Sequence, residues 1–136
     1  MSDPATVTWK GEGLLFEGRT SSGTVDLVSG LDTGVEGVRP TELLAVALGG
    51  CTAMDVLSIL KKMRQPVEAF SIEVGGTRAE EHPKRYTSLE VVYRLRGDLD
   101  EAKVARAVEL SETRNCSVEA TLHPGDPIAS RFEIER

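Results

Sequence analysis

The sequence predicts an α+β fold on three observations. Short stretches of alternating polar and apolar residues fill the first third of the chain and recur after Pro66. A long and almost wholly apolar helix occupies the middle, and an amphipathic helix precedes the final alternating stretch. In order the elements read β-β-β-α-β-β-α-β, with antiparallel strands segregated from the helices.

Thr6–Trp9 alternates, Gly11 and Gly13 mark a turn, Leu14–Arg19 follows, Ser21-Ser22-Gly23 turns again, and Thr24–Val28 completes an antiparallel meander. Ser29–Val38 holds three glycines and two acids and reads as a loop. Pro40 suits the first turn of a helix, where its missing N–H is not needed. From Leu43 to Leu60, 18 residues, the only polar side chains are Thr52, Asp55 and Ser58. That length is the lower edge of a membrane span, but the carboxylate, the Gly49-Gly50 pair and the lack of interfacial aromatics argue against one. A helix apolar on nearly every face must be buried on nearly every face. One chain of 14.7 kDa can hardly surround it, so a twofold homodimer is expected.

Lys61-Lys62-Met63-Arg64 places cations at the helix C-terminus, and Pro66 forbids continuation. Phe70, Ile72 and Val74 alternate with Ser71, Glu73 and Gly75; Leu89, Val91, Tyr93 and Leu95 alternate with Glu90, Arg94 and Arg96 around an apolar Val92. The charged segment Thr77–Tyr86, with His82-Pro83, joins these two strands. Asp98-x-x-Glu101 has capping-box spacing and opens a helix to about Asn115, with Val104, Ala107, Val108 and Leu110 inward and Cys116 just beyond. Pro124-Gly125-Asp126-Pro127 reads as a turn, and Ile128–Ile134 as the last strand.

Composition narrows the function. A length of 136 residues fits one domain, 1–136, and 40 % apolar with 28 % charged residues is ordinary globular usage. Sixteen basic against 22 acidic residues, a pI near 5.0 and no clustered basic face argue against nucleic acid. Met1–Trp9 has neither a basic nor an apolar leader segment, which points to the cytoplasm. Two cysteines and two histidines, lacking the short ligand spacings that a Cys/His zinc module needs, argue against one, and no metal is expected. His82 and His123 each adjoin a proline in a loop and read as exposed residues without a special role, and Trp9 as a core or dimer contact. The unusual chemistry left to the chain lies on its two thiols.

Both cysteines can be read as small buried hydrophobes with no task, since free cysteine is among the most buried residue types. Their separation of 65 residues says nothing about distance in space. Three features point instead to reactivity. Gly49-Gly50 removes side chains where a substrate or partner backbone could approach, at about 1 kcal/mol per glycine relative to alanine. Cys116 lies at a helix boundary, and Arg78, Arg85 and Arg114 could stabilise a thiolate. Asp55, one helical turn after Cys51, would oppose one.

The run Arg39-Pro40-Thr41-Glu42-Leu43-Leu44-Ala45-Val46-Ala47-Leu48-Gly49-Gly50-Cys51 resembles the first-cysteine pattern of the OsmC/Ohr family, and Asn115-Cys116-Ser117-Val118 its second-cysteine motif. The resemblance spans essentially the whole chain, and Gly49–Leu60 is closer to the YhfA-like branch than to the well-studied peroxidases. It implies an intertwined homodimer with antiparallel sheets wrapped around two central helices and two active sites at the interface. It further implies that Cys51 attacks a small organic hydroperoxide as thiolate, and that Cys116 resolves the sulfenic acid to a disulfide. An external dithiol reductant, lipoyl-type in the best-known members, would restore the pair. No bound cofactor is implied. In that pattern an arginine from an N-terminal strand and a glutamate just after the motif proline assist the first cysteine. Arg19, which could equally be a surface arginine after a turn, is the candidate arginine, and Arg78 a second candidate. The glutamate position is occupied by Thr41, with Glu42 one residue later, where it could serve the site or simply the helix N-terminus. Gly49, Gly50, Thr41 and Arg78 are the candidate binding residues. The alternatives are a ligand-binding or redox-sensing protein of the same fold, with an apolar ligand in place of peroxide, and a structural dimer with inert cysteines.

Overall fold

The computed structural model describes residues 3–31, 34–122 and 128–136; the expected turn Pro124–Pro127 and His123 lie outside them. The chain forms two compact units, one up to Leu44 and one from Ala45.

In the first unit, β1 (Thr6–Trp9), β2 (Phe16–Arg19) and β3 (Thr24–Leu27) form the expected antiparallel meander in the order β1-β2-β3. Glycines supply the tight connections: Gly11 and Gly13 have φ of 94° and 49°, accessible to a residue without Cβ. Val38 pairs in parallel with Leu27, tying the end of the following loop back to the sheet. The helix α1 (Pro40–Lys62) starts in this unit and continues through the second.

In the second unit, β4 (Ala69–Arg78), β5 (Tyr86–Arg96) and β6 (Ile128–Glu135) make a three-stranded sheet in that order. The alternation expected for β4 and β5 is observed: Val91, Tyr93 and Leu95 are buried while Glu90, Arg94 and Arg96 are exposed. Val92, on the opposite face, is also buried, flanked in register by Glu73 and Arg131, whose aliphatic stems can cover it. Phe70 stacks on Tyr93 with ring centroids 6.4 Å apart. The core joins this face to Leu48, Val56 and Leu60 of α1 and to Leu99, Val104, Ala107 and Val108 of α2 (Glu101–Leu110).

Three expectations are corrected. β6 runs parallel to β5, not antiparallel, because the helical segments between them carry the chain back to the starting edge. The cap of α2 is Asp100 and not Asp98: its carboxylate accepts from the N–H groups of Ala102 and Lys103 at 2.9 and 3.3 Å. The helical stretch reaches Asn115 as expected, but its last five residues are not α-helical. A π turn, Ser111–Asn115, follows α2, and after Cys116 a short helix α3 (Ser117–Leu122) begins.

The end of α1 is a Schellman turn. Arg64, at φ 59°, occupies the left-handed position usually given to glycine, the Gln65 N–H donates to the Leu60 carbonyl and the Arg64 N–H to that of Lys61.

Candidate functional site

Cys51 projects from α1, half-buried, and Cys116 is 4 % exposed between the π turn and α3. Residues 65 positions apart are thus brought together, with their sulfurs within 4.8 Å of each other. The π turn achieves this. By widening the last turn of the α2 segment it leaves Cys116 extended, at φ −79° and ψ 105°, with its N–H donating to the Ser111 carbonyl at 2.9 Å.

Cys116 then caps α3. Its Sγ accepts from the Glu119 N–H at 3.3 Å, the bond a serine or threonine hydroxyl makes in a capping box. The Val118 N–H, at the same helix end, helps to lower both thiols.

These contacts separate the thiols. Partial burial pushes the Cys51 thiol up, but hydrogen bonds from the Val118 N–H, the Cys116 thiol and the Ser117 hydroxyl outweigh it; with the Asp55 carboxylate opposing, the net result lies below the ordinary value. Burial, and the hydrogen bond given to Cys51, push the Cys116 thiol up to about 11. Cys51 is thus the sulfur poised to ionise, and Cys116 the proton-bearing neighbour that supports it.

Asp55 completes the cluster. The Ser111 hydroxyl, wholly buried, donates to Asp55 Oδ2 at 3.3 Å. The Cys51 and Cys116 sulfurs and an Asp55 oxygen all lie within 4.8 Å of one another. Behind them Tyr93, buried at 0 % exposure, donates its hydroxyl to Glu112 at 3.3 Å, and burial together with the Glu112 charge keeps the phenol protonated well above its usual range. Thr52, next to Cys51, returns its hydroxyl to the carbonyls of Leu48 and Gly49.

The other expected residues have local tasks. Glu42 reaches back from the first turn of α1 to the Arg39 N–H at 2.9 Å and pairs with the Arg39 guanidinium, which holds its carboxyl below the ordinary value. This is the helix-terminus role of the two weighed for it. Thr41 is half-buried in the same turn. Arg19 is exposed at the end of β2, bonds Glu17 at 3.0 Å and borders an open groove of about 450 Å³ with Val7, Val25, Leu27 and Leu43. Arg78 donates from Nε to the Lys84 carbonyl at 2.9 Å, bracing the β4–β5 connection. Gly49 is a packing residue: a Cβ there would meet Val74 and Ile72 at 3.1 and 3.2 Å, so the glycine lets α1 approach β4. Gly50, by contrast, faces open space.

Sequence reasoning missed Ser111, Ser117 and the Val118 N–H. The first has no sequence signal; the other two could have been found from Cys116-x-x-Glu119, which has capping-box spacing with sulfur in place of the hydroxyl.

Relatives share this arrangement of elements. Over 131 residues the chain is 39 % identical to the protein YhfA of Escherichia coli K12, covering 96 % of each. A hypothetical protein from Aquifex aeolicus VF5 superposes with a TM-score of 0.87 at 33 % identity, over 99 % of this chain and 97 % of that one. The organic hydroperoxide resistance protein OhrB of Bacillus subtilis shares the fold at a TM-score of 0.64 and 18 % identity, over 96 % of this chain and 98 % of its own. The sequence profile of OsmC-like proteins matches residues 32–131, and with these relatives it shows that the chain belongs to the OsmC-like protein family.

Proposed function

We propose that the protein is a thiol-dependent hydroperoxide reductase acting on small organic hydroperoxides. The observation that carries this reading is the asymmetric pair: a half-buried Cys51 whose thiolate is favoured, in contact with a buried Cys116 whose thiol keeps its proton. The hydroperoxide resistance named for the Bacillus subtilis relative supports it.

The Cys51 thiolate attacks the hydroperoxide O–O bond, taking the terminal OH and becoming a sulfenic acid; the alkoxide leaves and is protonated to the alcohol. The Cys116 sulfur, giving up its proton, then attacks Cys51, forming the S–S bond and releasing water. A dithiol reductant exchanges with that disulfide and leaves both thiols free. The protein itself supplies position and polarity: the Val118 N–H and Ser117 hydroxyl hold the nucleophile, and the π turn holds the resolving sulfur against it. No bound cofactor is needed. In this reading the protein works as a homodimer in the cytoplasm, with the second copy covering the apolar residues that α1 leaves exposed.

One observation favours a second reading. The Asp55 carboxylate beside Cys51 opposes its ionisation, which suits a detuned redox sensor or ligand-binding protein of the same fold. Rapid mixing of reduced protein with cumene hydroperoxide and with hydrogen peroxide separates the two. The reductase reading predicts fast, organic-selective oxidation that Cys51→Ser abolishes; oxidation no faster than a free thiol would leave the sensor or binding reading.

A further inference from the structure

Asp55 is fixed beside the two cysteines by the buried Ser111 hydroxyl. We propose that Cys51, Cys116 and Asp55 form a reversible binding site for a zinc-class divalent cation, one per chain. This inference is independent of the reductase reading, although it uses the same two thiols.

The geometry fits. In a tetrahedral zinc site with Zn–S of about 2.3 Å, neighbouring sulfurs stand about 3.8 Å apart. The three donor atoms lie within 4.8 Å of one another, so they need draw in by about an ångström at most. The donor set fits as well. Two thiolates select a soft or borderline cation, and a carboxylate is a common third ligand for zinc. The Ser111 hydroxyl on Oδ2 orients the Asp55 carboxylate, one oxygen of which lies within 4.8 Å of both sulfurs. The ligands come from α1, anchored in the core by Val56 and Leu60, and from the junction of the π turn with α3, where Cys116 is itself a core residue. The half-exposed Cys51 side leaves the fourth position open to water.

No Cys/His spacing points to this site, because its third ligand is an aspartate and its cysteines are 65 residues apart. Binding is balanced by proton release: the cation gains two sulfur bonds and one oxygen bond, and the two thiols give up their protons to solvent. While bound, neither sulfur is available to an oxidant.

The test is titration of the reduced full-length protein with zinc sulfate under anaerobic conditions against a chromophoric zinc indicator, with no hydroperoxide present. The expected result is one zinc per chain and about two protons released near neutral pH. Asp55→Asn should weaken binding at least tenfold and Cys116→Ser more, while Ser111→Ala, which loses only the orienting bond, should weaken it by about tenfold or less. Cobalt chloride should give, at one equivalent, a thiolate-to-cobalt charge-transfer band with tetrahedral ligand-field absorption. Absence of stoichiometric zinc uptake by the wild-type protein would overturn the proposal. So would a folded Asp55→Asn that binds zinc as tightly as wild type. If Asp55→Asn does not fold, the cobalt spectrum decides, and lack of the thiolate band in wild type is the contrary result. Slow oxidation of Cys51 would sink the reductase reading and leave this one standing.

Discussion

At the scale of single residues, reactivity depends on which dipoles and charges face the Cys51 sulfur. The Val118 N–H, the Cys116 thiol and the Ser117 hydroxyl favour the thiolate, while desolvation and Asp55 disfavour it. The sign of a test follows directly. Removing the negative charge with Asp55→Asn should lower the Cys51 pKa further, so the rise in its alkylation rate with iodoacetamide should move to lower pH than in wild type. Wild type should itself show that rise below the range of an ordinary thiol, with a single fast-reacting cysteine at neutral pH, because the Cys116 thiol is pushed up to about 11. An unmoved or upward-shifted profile in Asp55→Asn would show that the carboxylate does not face the sulfur.

At the scale of elements, the site is made by a break in a helix. α2 ends at Leu110, the π turn inserts before Cys116, and α3 restarts the chain with the sulfur as its cap. The turn opening this segment is equally specific. Gly97, at φ 143°, places its Cα so that an added Cβ would stand 2.4 Å from the Pro66 carbonyl oxygen, and its N–H donates to Glu135. Gly97→Ala should therefore destabilise the protein by more than about 2 kcal/mol in urea unfolding, and an unchanged midpoint would contradict the backbone drawn here. Most elements were legible in the sequence: β1 to β5 and the start of α1 at Pro40 follow from alternation and helix-terminus chemistry. The π turn and α3 were not legible, because Ser111–Leu122 has no glycine or proline to interrupt a helical reading. The parallel register of β6 was hidden for a related reason, since alternation reveals a strand but not its direction. The cysteine pairing was legible only through resemblance; Asp55 could be placed one helical turn from Cys51, but the bond it accepts from Ser111, a contact across 56 residues, was not legible.

At the scale of the whole molecule, α1 is the telling element. It is long and apolar enough to cross a membrane by length and composition, with a mean hydropathy of 2.0, yet Leu48, Val56 and Leu60 are built into a core with β5 and α2. Only 28 % of its apolar window is buried within the chain, and Val46 and Met54 are 61 % and 74 % exposed. Apolar surface left open along a core helix favours a partner. Sedimentation equilibrium should therefore give twice the 14.7 kDa chain mass, and Met54→Asp should shift the species toward monomer. A wild-type monomer at tens of micromolar would contradict this account.

The central claim is that two sulfurs, one poised to ionise and one holding its proton, act in sequence on a hydroperoxide. The most direct measurement is peptide mapping by mass spectrometry after one equivalent of tert-butyl hydroperoxide under anaerobic conditions. The expected product is a single Cys51–Cys116 disulfide within each chain, absent from Cys116→Ser, which should instead carry a trapped sulfenic acid on Cys51. Unmodified thiols, or oxidation of Cys51 to sulfinic acid with Cys116 untouched in wild type, would contradict it.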